Sequence, residues 1–64
     1  MSLEEKFQDG LNAYEKGDYK TALAIFEDLA LREDANAQYT LGFMYGNGIG
    51  VKQDYTKAKE WYEK

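Results

Sequence analysis

Apolar residues recur along this chain at the three- and four-residue spacing of a helix face, in four separate runs. Leu3, Phe7, Leu11 and Tyr14 form the first stripe. Ser2 followed by Glu5 is a capping box that starts it, and Gly17 supplies the left-handed conformation that ends it. Asp18 caps a second helix whose stripe is Tyr19, Ala22, Leu23, Phe26, Leu29 and Ala30, with Arg32 near the end where positive charge is favoured. A third stripe follows the polar run 32–34: Ala37, Leu41, Met44 and Tyr45, capped by Asp34 or Asn36 and ended by Gly46. Asp54 caps a fourth helix that carries Tyr55, Ala58, Trp61 and Tyr62. The pattern predicts an all-α chain of four helices.

The four runs fall into two halves of one pattern. Asp18, Tyr19, Ala22, Phe26 and Glu27 align with Asp54, Tyr55, Ala58, Tyr62 and Glu63 at the same offsets. Gly10 precedes Ala22 by twelve residues and Gly42 precedes Ala58 by sixteen, so the second half holds four extra residues between its helices, within 46–53. Glycines there suit a longer turn, because they take positive backbone angles without a side-chain clash. Gly10 and Gly42 have another use: lacking side chains, they let the rings of the partner helix approach closely.

Gly10, Gly17-Asp18-Tyr19, Ala22 and Phe26 resemble a tetratricopeptide repeat over 3–33. Ala37, Leu41-Gly42, Met44-Tyr45, Gly48-Ile49-Gly50-Val51, Asp54-Tyr55, Lys57-Ala58 and Trp61-Tyr62 resemble a Sel1-like repeat over 35–64, one that is truncated at its C-terminus. The resemblance implies a single domain, 1–64, of two helix-turn-helix repeats forming a short right-handed α-solenoid. It also implies a protein–protein interaction scaffold that binds a peptide or partner surface in its concave groove.

Composition narrows the chemistry. At 64 residues the chain buries a small core, and without cysteine or histidine it has neither disulfides nor the usual ligands for zinc, haem or iron–sulfur clusters. No cofactor is expected. Eight basic against twelve acidic residues give a net charge of −4, which repels phosphate backbones and anionic lipid, so neither nucleic acid nor membrane is expected as a partner. The charge is uneven: residues 1–34 carry nine acids and four bases (−5), residues 35–64 three acids and four bases (+1). No apolar run reaches the ~20 residues of a membrane span and no basic-then-apolar leader begins the chain, which leaves the cytoplasm as the default compartment.

The alternating Gly46, Gly48 and Gly50 do not make a phosphate loop, since a helix precedes them and Val51-Lys52-Gln53 follows where Gly-Lys-Ser or Gly-Lys-Thr is needed. Asn47, Gln53 and Asp54 bring one carboxylate, too few for a calcium loop. The acid pairs Glu4-Glu5, Glu27-Asp28 and Glu33-Asp34 are adjacent residues that do not face one another on a helix. No nucleophile–base set is apparent, so the chain is read as no enzyme. A second class, a cell-wall or β-lactam-related enzyme of Sel1-like kind, belongs by resemblance to cysteine-rich secreted proteins. A third is a purely structural spacer repeat.

By the resemblance, side chains facing the groove come from the first helix of each half: Glu4, Phe7, Leu11, Tyr14 and Glu15, then Asn36, Tyr39, Phe43 and Asn47. Phe7 and Leu11 are also needed for the core. The expected peptide-binding set is therefore Asn36, Tyr39, Phe43, Asn47 and Tyr14, with the amides pairing to a peptide backbone. Phe7 and Leu11 stand where some tetratricopeptide domains place the Lys and Asn that clamp a terminal carboxylate, so that recognition is not expected. Arrays of this kind normally need at least three repeats and polar caps. With two, the last helix is expected to leave Trp61, Tyr62 and Met44 partly exposed as a self-association surface.

Overall fold

The computed structural model describes residues 2–63 and is all-α among them. Its helices are α1 (Leu3–Glu15), α2 (Tyr19–Leu31), α3 (Ala35–Asn47) and α4 (Tyr55–Tyr62), each packed on the next. Together they make two antiparallel hairpins, α1 with α2 and α3 with α4, in a body 31 × 24 × 12 Å across its α-carbons. Among the described residues no helix is long and apolar enough to cross a membrane.

Every helix begins on a side-chain oxygen that accepts a backbone N–H of the first turn, one of the donors a helix leaves unpaired. Ser2 accepts from Glu5 at 3.2 Å, Asp18 from Thr21 at 3.3 Å and Asp54 from Lys57 at 3.0 Å. Of the two candidates for the third cap the chain uses Asp34, which accepts from Asn36 at 3.0 Å and Ala37 at 3.2 Å.

The first three helices end in the same double closure, in which two successive N–H groups reach back over a left-handed residue. After α1 the N–H groups of Gly17 and Asp18 donate to the carbonyls of Tyr14 and Ala13 at 3.0 and 2.9 Å. After α2, Glu33 and Asp34 donate to Ala30 and Leu29 at 3.0 and 3.1 Å. After α3, Gly48 and Ile49 donate to Tyr45 and Met44 at 3.4 and 2.9 Å. The expectation that Gly46 ends α3 is thus corrected. The left-handed angle falls at Gly48 (φ 65°), while Gly46 stays helical and passes close to Ala58. At the second turn the left-handed residue is Glu33, with φ 66°, where a β-carbon is strained.

The core lies along α2 and α3. Phe26, Leu29, Leu41 and Met44 are fully buried, with Ala22, Ala30, Ala37, Tyr45 and Ala58 around them. Met44, expected to be partly exposed on a self-association surface, is therefore corrected to core: it lies one turn beyond Leu41 and is fully buried with it. Trp61 is partly buried and turned back toward α2, where it borders a cleft with Ala30, Leu31 and Gln38. Of the three residues assigned to self-association, only Tyr62, 49% exposed, stands largely in solvent.

Close approach within each hairpin depends on one glycine. A β-carbon on Gly10 would lie 2.8 Å from the Phe26 ring, and one on Gly42 would lie 2.6 Å from the Tyr62 ring. A second aromatic flanks each contact, Phe7 with its ring centroid 5.3 Å from that of Phe26 and Tyr39 5.5 Å from Tyr62. The two hairpins therefore repeat one packing unit. They differ in cover, since Phe26 is fully buried and Tyr62 is half exposed.

Polar groups tie the hairpins together. The Gln38 amide, 9% exposed, donates to the Ala30 carbonyl at 3.1 Å, and the Tyr45 hydroxyl donates to the Glu27 carboxylate at 2.9 Å. Burial and this carboxylate push the Tyr45 phenol above its ordinary pKa. Lys57 places its ammonium 5.1 Å from the Tyr45 ring centre. The long turn joins the same seam. Ile49 and Val51 pack on the core, Asp54 N–H donates to Tyr45 O at 2.8 Å, and a β-carbon on Gly50 would fall 2.6 Å from that of Tyr19 in the first hairpin.

Urea unfolding of four variants tests this packing. Gly10→Ala overpacks against a locked ring and costs about 1–3 kcal/mol before about 1 kcal/mol of helix propensity is returned, a net loss. Gly42→Ala meets the half-exposed Tyr62 ring, which can yield toward solvent, and costs less than Gly10→Ala. Glu33→Gly relieves the left-handed strain and stabilises by about 1 kcal/mol. Tyr45→Phe costs about 1 kcal/mol at neutral pH. Because folding raises the Tyr45 pKa, the stability its hydroxyl adds is complete below the ordinary phenol value of 10.0 and is lost as pH rises through the raised one, so the gap to the Phe variant closes there.

Candidate peptide-binding site

The first helices of the two hairpins, α1 and α3, stand side by side over the Phe26 ring and leave a cavity of about 340 Å³ between them. Leu11 and Tyr14 form the α1 wall, Tyr39, Thr40 and Phe43 the α3 wall, and Phe26 the floor. The spacing of these residues follows from helix geometry: 11 and 14 lie one turn apart on one face, as do 39 or 40 and 43. Phe43 and Tyr39 are 42% and 66% exposed, more than large aromatics in a small core would be.

The walls are held from outside the cavity. Tyr14 meets the Tyr19 ring edge-on at a centroid distance of 5.3 Å, and Tyr39 leans on Tyr62. The Thr40 hydroxyl donates to the Asn36 carbonyl at 2.8 Å, which leaves its methyl group for the wall. Leu11 is partly buried, so it contributes to core and wall together.

The structure brings three of the five expected residues, Tyr14, Tyr39 and Phe43, into one cavity. Asn36 and Asn47 are exposed on the same α3 stripe as Thr40 and Phe43 but are not part of the lining. Eleven residues of helix separate them, about 16 Å, so they lie beyond the two ends of the cavity. The Asn47 amide is already engaged, donating to the Phe43 carbonyl at 2.9 Å. Thr40 is the lining residue that sequence reasoning missed. Its position four residues after Asn36 and three before Phe43 would have identified it.

The α1 stripe that carries Leu11 also carries Glu4, Gln8 and Glu15, all exposed, whereas the lining itself has no charged side chain. Such a surface can take an apolar side chain between aromatic walls and favour positive charge beside it. It holds no paired acid and base. Among the described residues no group of three or more acidic, histidine or cysteine side chains could hold a metal ion.

Two like-built hairpins, glycine-to-aromatic packing within each, and a groove along the first helices define a helical-repeat protein of the tetratricopeptide-like class. The chain belongs to the Sel1-like repeat proteins, and residues 35–64 match the model of the Sel1 repeat. Over 50 residues, 78% of this chain, it is 34% identical to the ERAD-associated E3 ubiquitin-protein ligase component HRD3 of Candida glabrata. Over 53 residues, 77% of this chain, it is 42% identical to the Sel1-repeat-containing protein YjcO of Escherichia coli K12. The chain spans 6% of the first relative and 23% of the second. No solved structure matches it.

Because the α3 wall is exposed while the floor is core, the two should separate on mutation. Tyr39→Ala and Phe43→Ala are expected to cost about 1 kcal/mol or less, and Phe26→Ala about 3–5 kcal/mol or complete loss of folding. Thermal unfolding followed by circular dichroism measures the difference.

Proposed function

We propose that this chain is a protein-interaction module that holds an apolar anchor of a partner peptide between α1 and α3. The supporting observation is the cavity itself, which has an apolar floor and exposed aromatic walls on two rigid helices. Aromatic residues so placed are the usual carriers of binding energy at interfaces. Holding them on helices lowers the ordering cost of binding. The relatives add support at the level of class, since one of them is named as a component of a ubiquitin ligase.

The exposed Glu4 and Glu15 on the α1 side favour a peptide with lysine or arginine next to its apolar anchor. The catalytic reading gains nothing from the cavity, where the Thr40 hydroxyl already donates to a backbone carbonyl. Self-association through α4 would rest on Tyr62, since Met44 is core.

The test is a peptide-display selection on the immobilised chain, followed by nuclear magnetic resonance titration of the selected peptides. The expected sequences pair an aromatic or branched aliphatic residue with a basic one and shift the resonances of Leu11, Tyr14, Thr40 and Phe43. Tyr39→Ala combined with Phe43→Ala should weaken them at least about tenfold, or about 1.4 kcal/mol. Peptides that shift other surfaces, or that bind the double variant equally well, would refute the proposal.

A further inference from the structure

We infer that the Asn47-Gly48 junction is a self-modification site, where the asparagine deamidates without an enzyme. The closure at the end of α3 is the latch that slows the reaction, and the backbone-lengthened product frees the long turn from the first hairpin. The chain has three asparagines, and Asn12 and Asn36 are each followed by alanine. Only Asn47 is followed by glycine, whose missing side chain leaves the next backbone nitrogen uncrowded enough to reach the asparagine side chain.

The Gly48 nitrogen attacks Cγ of Asn47, forming an N–C bond that closes a five-membered imide. The Cγ–Nδ2 bond breaks, and Nδ2 leaves as ammonia with the proton that Gly48 gave up. Water then opens the imide at either carbonyl. One opening gives aspartate, and the other gives isoaspartate, in which the main chain runs through Cγ and is one atom longer. The net change is one water consumed and one ammonia released, with no oxidant or reductant.

In the closed structure the reacting groups are held apart. Asn47 is the last residue of α3, and its Nδ2 donates to the Phe43 carbonyl at 2.9 Å, which draws the side chain back along the helix and away from Gly48. The Gly48 N–H donates to the Tyr45 carbonyl, but at 3.4 Å, beyond the ordinary range for such a bond. That carbonyl also accepts the Asp54 N–H at 2.8 Å. The attacking nitrogen is therefore the more loosely held donor of the closure, and Asn47 is exposed to the water the reaction consumes. Releasing these two bonds at a helix end suffices, and helix ends open at low cost. Asp9-Gly10 can form the same ring, yet it lies inside α1 with Gly10 buried against Phe26, so opening it would disturb the core.

The two products act on the turn differently. Aspartate keeps the backbone intact but loses the donor to Phe43 and places a negative charge at a helix C-terminus, where it is disfavoured. Isoaspartate adds an atom directly before Gly48, so the N–H groups of Gly48 and Ile49 no longer reach Tyr45 and Met44 together. The residues that follow bind the turn to the rest of the molecule: Ile49 and Val51 pack on the core, and Gly50 lies against Tyr19. Loosening passes from position 47 into the seam between the hairpins.

The natural chain, held folded at mildly alkaline pH, should gain the mass of amide-to-acid exchange. Peptide mapping with an isoaspartate-specific carboxyl methyltransferase should place both products at position 47, with Asn12 and Asn36 unchanged. Unfolding in urea should speed the conversion at least about tenfold, the factor for a latch worth about 1.4 kcal/mol. Asn47→Gln, which would have to close a larger and much slower ring, should stop the mass gain. The purified isoaspartate form should show shifted amide resonances at Gly50 and Tyr19, whereas Asn47→Asp should shift chiefly Phe43 and its neighbours. Three results would overturn the inference: a folded chain that keeps its mass, equal rates in the folded and unfolded chain, or isoaspartate that leaves the Gly50 and Tyr19 resonances in place. Asn47 lies outside the groove lining, so none of these depends on what the groove binds.

Discussion

The contact between a glycine on one helix and an aromatic ring on its partner sets the geometry of both hairpins. At Gly10 and Gly42 the ring occupies the space a β-carbon would need, so the helices sit closer than any side chain would allow. Packing at that distance brings a second ring, Phe7 or Tyr39, against the first, and it fixes the height at which α1 stands over α2 and α3 over α4. The groove is a by-product of this spacing. Its floor, Phe26, is the same ring that fills the gap beside Gly10.

The seam between hairpins works by another rule. Apolar cover comes from Leu29, Leu41 and Met44, but alignment comes from directed polar contacts, Gln38 to Ala30 and Tyr45 to Glu27. A buried donor left unpaired is costly, so each of these bonds penalises a slipped register more than it strengthens the correct one. Among the described residues no buried side-chain nitrogen or oxygen lacks a partner. A chain with so small a core is thereby held in one arrangement.

Much of this was legible in the sequence because it depends on short spacings. Caps at Ser2, Asp18 and Asp54 and the stripes of α2 and α3 need only a few residues of context, and the roles of Gly10 and Gly42 emerged from aligning the halves. Where several choices satisfied the local pattern, tertiary contacts decided. Three glycines could have ended α3, and Gly48 does so because Ile49 then reaches Met44. Met44 shares a stripe with Leu41, and the stripe prevails: both are fully buried in the one core. The α1 stripe misleads in the other direction: Gly10 and Ala13 are buried, while Leu3 is 44% exposed. Of the groove, the aromatic members could be named from composition and helix phase. Their convergence with Leu11 and Thr40, and the separation of Asn36 from Asn47, depend on how two helices lie side by side, which no single helical period encodes.

The long turn of the second hairpin touches Tyr19, thirty-one residues earlier in the chain. A side chain at position 50 is thus felt first in the hairpin upstream, where it would press on the β-carbon and backbone at the start of α2. Since every residue but glycine carries a β-carbon at position 19, the loop glycine is required whichever side chain stands there and whatever the groove has come to bind.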